Sequence, residues 1–182
     1  TKAGASDITV SLADYVSRMP EGQKNIYYVI ANTPEAAEGS PYLEGLKKKG
    51  VEVLLLWERI DEWMMGALTE FDGHKFIPAT AADLELEGVK AKSEKPSETS
   101  KEEDDKAVAR FKAALGEKVA DVRVSDRLVD SAACVVGQHD QMLTEQMRRM
   151  LEAAGQTVPE EKYTLEVNLE SPLVKKALAE ND

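Results

Sequence analysis

The chain has 182 residues, a formal net charge of -11, 31% charged residues, two histidines and one cysteine. That sign of charge repels phosphate backbones and anionic headgroups, and the longest basic run is only Lys47, Lys48 and Lys49, so neither nucleic acid nor a membrane surface is an expected partner. No apolar run approaches the roughly 20 residues that span a bilayer, no charged start precedes a hydrophobic signal segment, and a lone Cys134 excludes an internal disulfide framework; a soluble cytoplasmic protein is expected.

In chain order, residues 26–30 and 51–56 are apolar runs of strand length, the pattern of strands covered on both faces. Between them stand two helix-start signals, Thr33-Pro34 and Ser40-Pro41, in which a hydroxyl caps the helix and Pro occupies its first turn. Lys47, Lys48 and Lys49 then suit the negative end of the helix dipole, and Gly50 a left-handed stop. Strand, helix and strand imply a right-handed crossover and a parallel pair. Ile60, Met64, Ala67, Leu68 and Phe71 follow at helical spacing and predict one core-facing stripe, with Trp63 on its shoulder and Met65 outside it. Asp72-Gly73 marks a turn, and residues 75–79 a third short strand.

Residues 89–106 carry no large apolar side chain beyond Val89 and are dominated by Lys, Glu, Asp and Ser, which predicts a solvated linker. Beyond it, Val108, Phe111, Ala114 and Leu115 give a helix ending at Gly116, and residues 119–124, 132–136 and 163–169 read as strands, the last with Leu165, Val167 and Leu169 on one face. A helix over 139–154 is stopped by Gly155, and Ser171-Pro172 opens a final helix. The expected fold class is therefore α/β and α+β: a small three-layer αβα domain over 1–88, the linker over 89–106, and a mixed α+β C-terminal domain over 107–182.

Catalytic chemistry finds little purchase. His74 and His139 lie in different halves with no cysteine at metal-ligand spacing. Cys134 sits in an apolar strand without a neighbouring base and reads as a buried small hydrophobe. Glu102, Glu103, Asp104 and Asp105 lack the alternation and turn glycine of a calcium loop. No phosphate-binding glycine loop and no nucleophile elbow occur, so no metal, cofactor or catalytic residue is expected. What stands out is methionine and tryptophan at helical spacing. Leu143, Met147, Met150, Leu151 and Ala154 form a stripe with Glu145, Arg148, Arg149 and Glu152 away from it. Periodicity alone reads such a stripe as core, whereas its unbranched, polarizable methionines also suit an adaptable contact surface.

Two blocks carry a family resemblance. Tyr15-Val16-Ser17-Arg18-Met19, Glu21-Gly22-Gln23-Lys24-Asn25-Ile26-Tyr27-Tyr28 and Phe71-Asp72-Gly73 resemble the middle region of the heat-shock protein 90 chaperones, bacterial branch. Val124-Ser125-Asp126-Arg127-Leu128-Val129-Asp130-Ser131 is similar to the start of that family's C-terminal domain, in the expected order. Pro20 and Ala132 depart from the pattern, where lysine and proline are usual, and bear only on local loop geometry. The resemblance implies a fragment: the distal middle domain and a truncated C-terminal domain, without the domain that binds ATP and magnesium and without the helices of the homodimer interface. It implies binding rather than catalysis, with partly folded client proteins held by Glu62, Trp63 and Met65 near one helix and by Leu143, Met147, Met150 and Leu151 on a mobile helix in the dimer cleft. The bacterial seventy-kilodalton chaperone system is a further implied partner, and Cys134 lies near the family's conformational hinge. The residues alone leave open a purely structural dimerisation module and a small-molecule-binding α/β enzyme domain, although no glycine fingerprint follows Ile30 or Leu56.

Overall fold

A Ser-x-x-Asp capping box opens the first helix, α1 (Leu12–Ser17): the Asp14 amide donates to the Ser11 hydroxyl at 3.1 Å and the Ser11 amide to the Asp14 carboxylate at 3.0 Å. Tyr15 on its inner face is fully buried. Its phenol donates to the Glu52 carbonyl at 2.6 Å and accepts from Gln23 Nε2 at 3.1 Å and the Tyr27 amide at 3.2 Å. Arg18 donates twice to the buried Glu52 carboxylate, at 3.1 and 2.9 Å. This computed structural model describes residues 10–81, 84, 98–137, 151–157 and 163–180, a mixed chain of helices around two mixed sheets.

In the first sheet the expected parallel pair forms: β1 (Ile26–Ile30) runs beside β2 (Val53–Leu56), with Tyr27 opposite Val53. The crossover is not one helix. It is α2 (Pro34–Glu38), a 3₁₀ turn at Pro41–Leu43 and α3 (Glu44–Lys48), because Pro41 has no amide with which to continue α2. Thr33 caps α2 through a 3.2 Å bond from the Ala36 amide, but the Ser40 hydroxyl makes no cap bond. Gly50, at φ +70°, closes α3 with paired bonds from its own amide to Lys47 O and from the Val51 amide to Leu46 O.

After α4 (Arg59–Ala67), β3 (Glu70–Phe71) and β4 (His74–Pro78) form a hairpin across Asp72-Gly73, where both φ angles are positive. Phe71, predicted to extend the helical stripe, is therefore in a strand. β4 pairs parallel with β1, giving the order β2-β1-β4-β3. The strand alternation then sorts the core. Tyr27, Val29 and Val53 pack with Ala37, Leu43 and Leu46 from α2 and α3, while Ile26 and Phe76 pack with Tyr15, Met65 and Leu68.

α5 (Glu98–Leu115) begins inside the stretch predicted to be linker, so residues 98–106 are helical. Glu and Lys are strong helix formers, and helical turns joined to an amphipathic continuation need no large apolar side chain of their own. The second sheet contains β5 (Asp121–Val124), β6 (Ala133–Val136) and β7 (Thr164–Val167) in the order β5-β7-β6, with β5 parallel and β6 antiparallel to β7. Residues 151–153 are helical and end at Gly155 with the same paired carbonyl capture as at Gly50. The final helix, α6 (Pro172–Ala179), starts at Ser171-Pro172 as predicted, although the Ser171 hydroxyl makes no cap bond.

The two sheets are joined directly. Arg127, buried in the turn after β5, donates to Ala79 O at 2.8 Å and Ala81 O at 2.9 Å, and its Nε lies 2.9 Å from the Glu166 carboxylate. Arg123 at 2.7 Å and the Ser125 hydroxyl at 2.9 Å complete the shell around Glu166. From the other side, the Glu44 carboxylate accepts the amides of Val129 at 2.6 Å, Asp130 at 2.9 Å and Ser131 at 3.2 Å, and the Ser131 hydroxyl. Tyr42 donates to Val135 O, and a bridge pairs Ala81 with Gly137.

Candidate functional site

α4 is held at both ends by backbone chemistry. The Asp61 carboxylate takes the Glu58 amide at 2.9 Å, and the Leu68 amide closes the last turn on Met64 O at 2.7 Å. No residue of this helix is fully buried. Its inner side is set by Met65, with Leu68 just beyond the helix end; both pack against the cluster of Tyr15, Ile26 and Phe76. The opposite side carries Ile60 at 68% exposure, Trp63 at 57% and Met64 at 40%, with Ala67 also exposed. These positions fall at i, i+3, i+4 and i+7, one continuous apolar stripe turned to solvent.

The stripe predicted from spacing thus exists, but its outward half is Ile60 and Met64. The residue placed outside it, Met65, is the one that docks. Periodicity fixes which residues share a face and not which way that face points; here the direction is set by the short α4–β3 connection and the side chain of Phe76. Among the predicted contact residues, Trp63 belongs to the exposed stripe, whereas Glu62 is half-buried on the side of the helix away from that stripe and Met65 is turned toward the core. Ile60 and Met64 were missed because an apolar stripe was read as core; the signal available was the continuous alternative stripe 60, 63, 64 and 67.

Leu143, Met147 and Met150 lie outside the described residues. Leu151 is half-buried, and its carbonyl accepts the Gln156 amide at 3.0 Å in the helix stop. Large exposed apolar residues elsewhere, such as Val129, Val135 and Leu173, do not gather on one helix face as those of α4 do.

Nothing near this surface resembles a reactive centre. His74, the first residue of β4, makes a 2.7 Å ring-nitrogen contact with Lys24 O. Burial, reinforced by the Glu166 carboxylate, pushes the Cys134 thiol up to about 12, which suits the inert core residue predicted. Among the described residues no group of three or more His, Cys, Asp or Glu is placed to hold a metal, and no helix is long and apolar enough to cross a membrane. The left-handed glycines at 50, 73 and 155 close helix ends and a hairpin. An open groove of about 700 Å³ runs beside the edge strand β2, lined by Glu35, Glu38, Lys47 and Val53 among others. It flanks that strand and does not sit at the carboxyl ends of parallel strands, where an α/β enzyme would place its ligand.

Comparison with known proteins places the chain. The family described as Hsp90 protein matches residues 2–182. The chain is 52% identical over 175 residues to "Chaperone protein HtpG" of Shewanella sediminis, covering 96% of this chain and 27% of that protein. It is 50% identical over 183 residues to the proteins of the same name from Shewanella halifaxensis and Shewanella denitrificans, covering all of this chain and 28% and 29% of theirs. The chain therefore spans little more than a quarter of the length of these relatives, and an identity near one half along its whole extent leaves a single conclusion: it belongs to the Hsp90 family.

Proposed function

We propose that this chain is a client-holding portion of a bacterial Hsp90 chaperone, binding partly folded protein chains through exposed apolar surface and catalysing nothing itself. The observation that carries this reading is the stripe Ile60, Trp63, Met64 and Ala67 on α4. A helix this apolar on its outer side has no structural use for that face, and a mixed aliphatic, aromatic and thioether surface adapts to many partners. Apolar contact contributes about 25 cal/mol per Å² before ordering costs, so affinity for any one segment is weak and non-specific.

In this reading residues 1–88 form the small αβα part of the family's middle domain and residues 107–182 a C-terminal domain. The 143–154 stripe, with Leu143, Met147, Met150 and Leu151, supplies a second contact. ATP and magnesium act in another domain of the full-length cytoplasmic homodimer, and closure there changes how the contact surfaces approach each other. Handover from the seventy-kilodalton chaperone system belongs to that whole protein too.

Trp63 provides its own reporter. With Trp57→Phe as background, reduced, carboxymethylated ribonuclease A, which has no tryptophan, is expected to shift Trp63 emission to shorter wavelength saturably, and Ile60→Ser with Met64→Ser to abolish the saturation. Emission indifferent to the unfolded probe, or a response equal to that for native ribonuclease A, would overturn the reading.

A further inference from the structure

The contact between the two sheets is unusual in what holds it. The apolar cluster at the junction, Leu128, Cys134 and Val136, receives Tyr42 from the first half. The rest is directional and polar. Arg127 spans from Glu166 to Ala79 O and Ala81 O and is buried together with its partner carboxylate. Glu44 projects from the first turn of α3 into a concave run of successive amides, Val129 to Ser131. That run is braced from behind by Asn168, whose Nδ2 donates to Val129 O at 3.2 Å and Ser131 O at 3.1 Å. A carboxylate seated on backbone amides has one geometry, and so does a guanidinium bridging two carbonyls, so together they fix an orientation that a greasy contact would leave loose.

The two contacts differ in accessibility. Arg127 and Glu166 are buried, whereas Glu44 is half-buried and reachable by water. Next to it, Gly45 shows how closely the halves approach. A Cβ added there would sit 2.8 Å from Arg127 Cα and 2.9 Å from Arg127 O, both backbone atoms that have no side-chain freedom to yield.

We propose that the Glu44 carboxylate, seated on the amides of Val129, Asp130 and Ser131, is a releasable latch beside the buried Arg127–Glu166 pivot, fixing how the two sheets face each other. While it is closed the α4 stripe moves with the second sheet as one body; when it opens, the sheets turn about Arg127. This inference is independent of the client-holding reading, since it concerns only the relative orientation of the sheets.

The test is a distance distribution between nitroxides at Lys48→Cys and Lys176→Cys, with Cys134→Ala as background, in the 182-residue chain. The parent should give one narrow population. Glu44→Gln keeps the side chain's size but removes the charge and replaces one of the two accepting oxygens by a donor, and Gly45→Ala keeps every charge while wedging α3 off Arg127. Each is expected to broaden the distribution about two-fold or more, with amide protection of β1 and β7 unchanged. Gly45→Ala is the sharper variant, because alanine favours the helix itself. Superimposable distributions in both variants would overturn the latch, and so would loss of protection throughout both sheets in Glu44→Gln, since the carboxylate would then be part of the core.

Discussion

The outer face of α4 and the junction around Arg127 spend residues in opposite ways. On α4, Ile60, Trp63 and Met64 are exposed and form no directed contact that the fold requires. At the junction nearly every polar atom has a named partner, and Glu166 alone receives Arg123, Ser125 and Arg127. Apolar surface is non-directional and tolerates many partners, while a buried polar network is satisfied in one arrangement only. The contrast teaches that this chain keeps its geometry in polar bonds and leaves its apolar helix face free for contact.

Breaking the network should produce the largest effect. Arg127→Ala leaves Glu166 charged and 3% exposed, together with two carbonyls that lose their donors, so destabilisation of about 3–5 kcal/mol is expected by chemical denaturation. Next comes Tyr15→Phe, which removes a donor from Glu52 O and an acceptor from the Tyr27 amide without changing volume. About 1–3 kcal/mol should be lost in the same assay, with faster exchange at the Tyr27 amide.

Acid should act on the latch selectively. Partial burial raises the Glu44 pKa, but the bonds from the Ser131 hydroxyl and three backbone amides outweigh it and hold the carboxyl below its ordinary value of 4.5. A carboxylate depressed in the folded state contributes stability that is present above its unfolded pKa and lost as pH falls through the folded one. Asp14 and Asp121 are depressed too, Asp14 first by the Ser11 hydroxyl and Asp121 by Lys112, so acid alone is not diagnostic. The junction distance should broaden below about pH 4.5 in the parent, whereas Glu44→Gln, already broad, should show no such step.

The smallest effect on stability belongs to α4. Trp63→Ala is expected to change the denaturation midpoint by less than about 0.5 kcal/mol, as exposed substitutions do. Met65→Ala, two residues away but turned to the Tyr15 and Phe76 cluster, should cost about 1–2 kcal/mol. If the two costs were reversed, the assignment of inner and outer faces would be wrong.

Much of the architecture was legible. The strands at β1, β2 and β4, the parallel crossover, the Asp-Gly hairpin and the stops at Gly50 and Gly155 follow from local chemistry that nothing later overrides. The division of the crossover at Pro41 and the helix over 98–106 did not, since the two start signals were assigned to a single helix and a charged run to a linker. The junction was invisible because Glu44 and Ser131 stand 87 residues apart, and no periodicity links a carboxylate to amides that distant. For α4 the predicted stripe mixed two faces, since Ile60, Met64 and Ala67 are turned to solvent while Leu68 packs inward. Which face turns inward depends on a tertiary contact, Met65 on the Tyr15 and Phe76 cluster, which helical spacing does not contain.

The most direct test of an apolar surface kept free for clients is the triple variant Ile60→Ser, Trp63→Ser, Met64→Ser, followed by thermal unfolding and by binding to reduced, carboxymethylated α-lactalbumin. The account predicts an unfolding midpoint within a few degrees of the parent and at least about a ten-fold loss of affinity, or about 1.4 kcal/mol. Unchanged binding, or collapse of the fold, would contradict it.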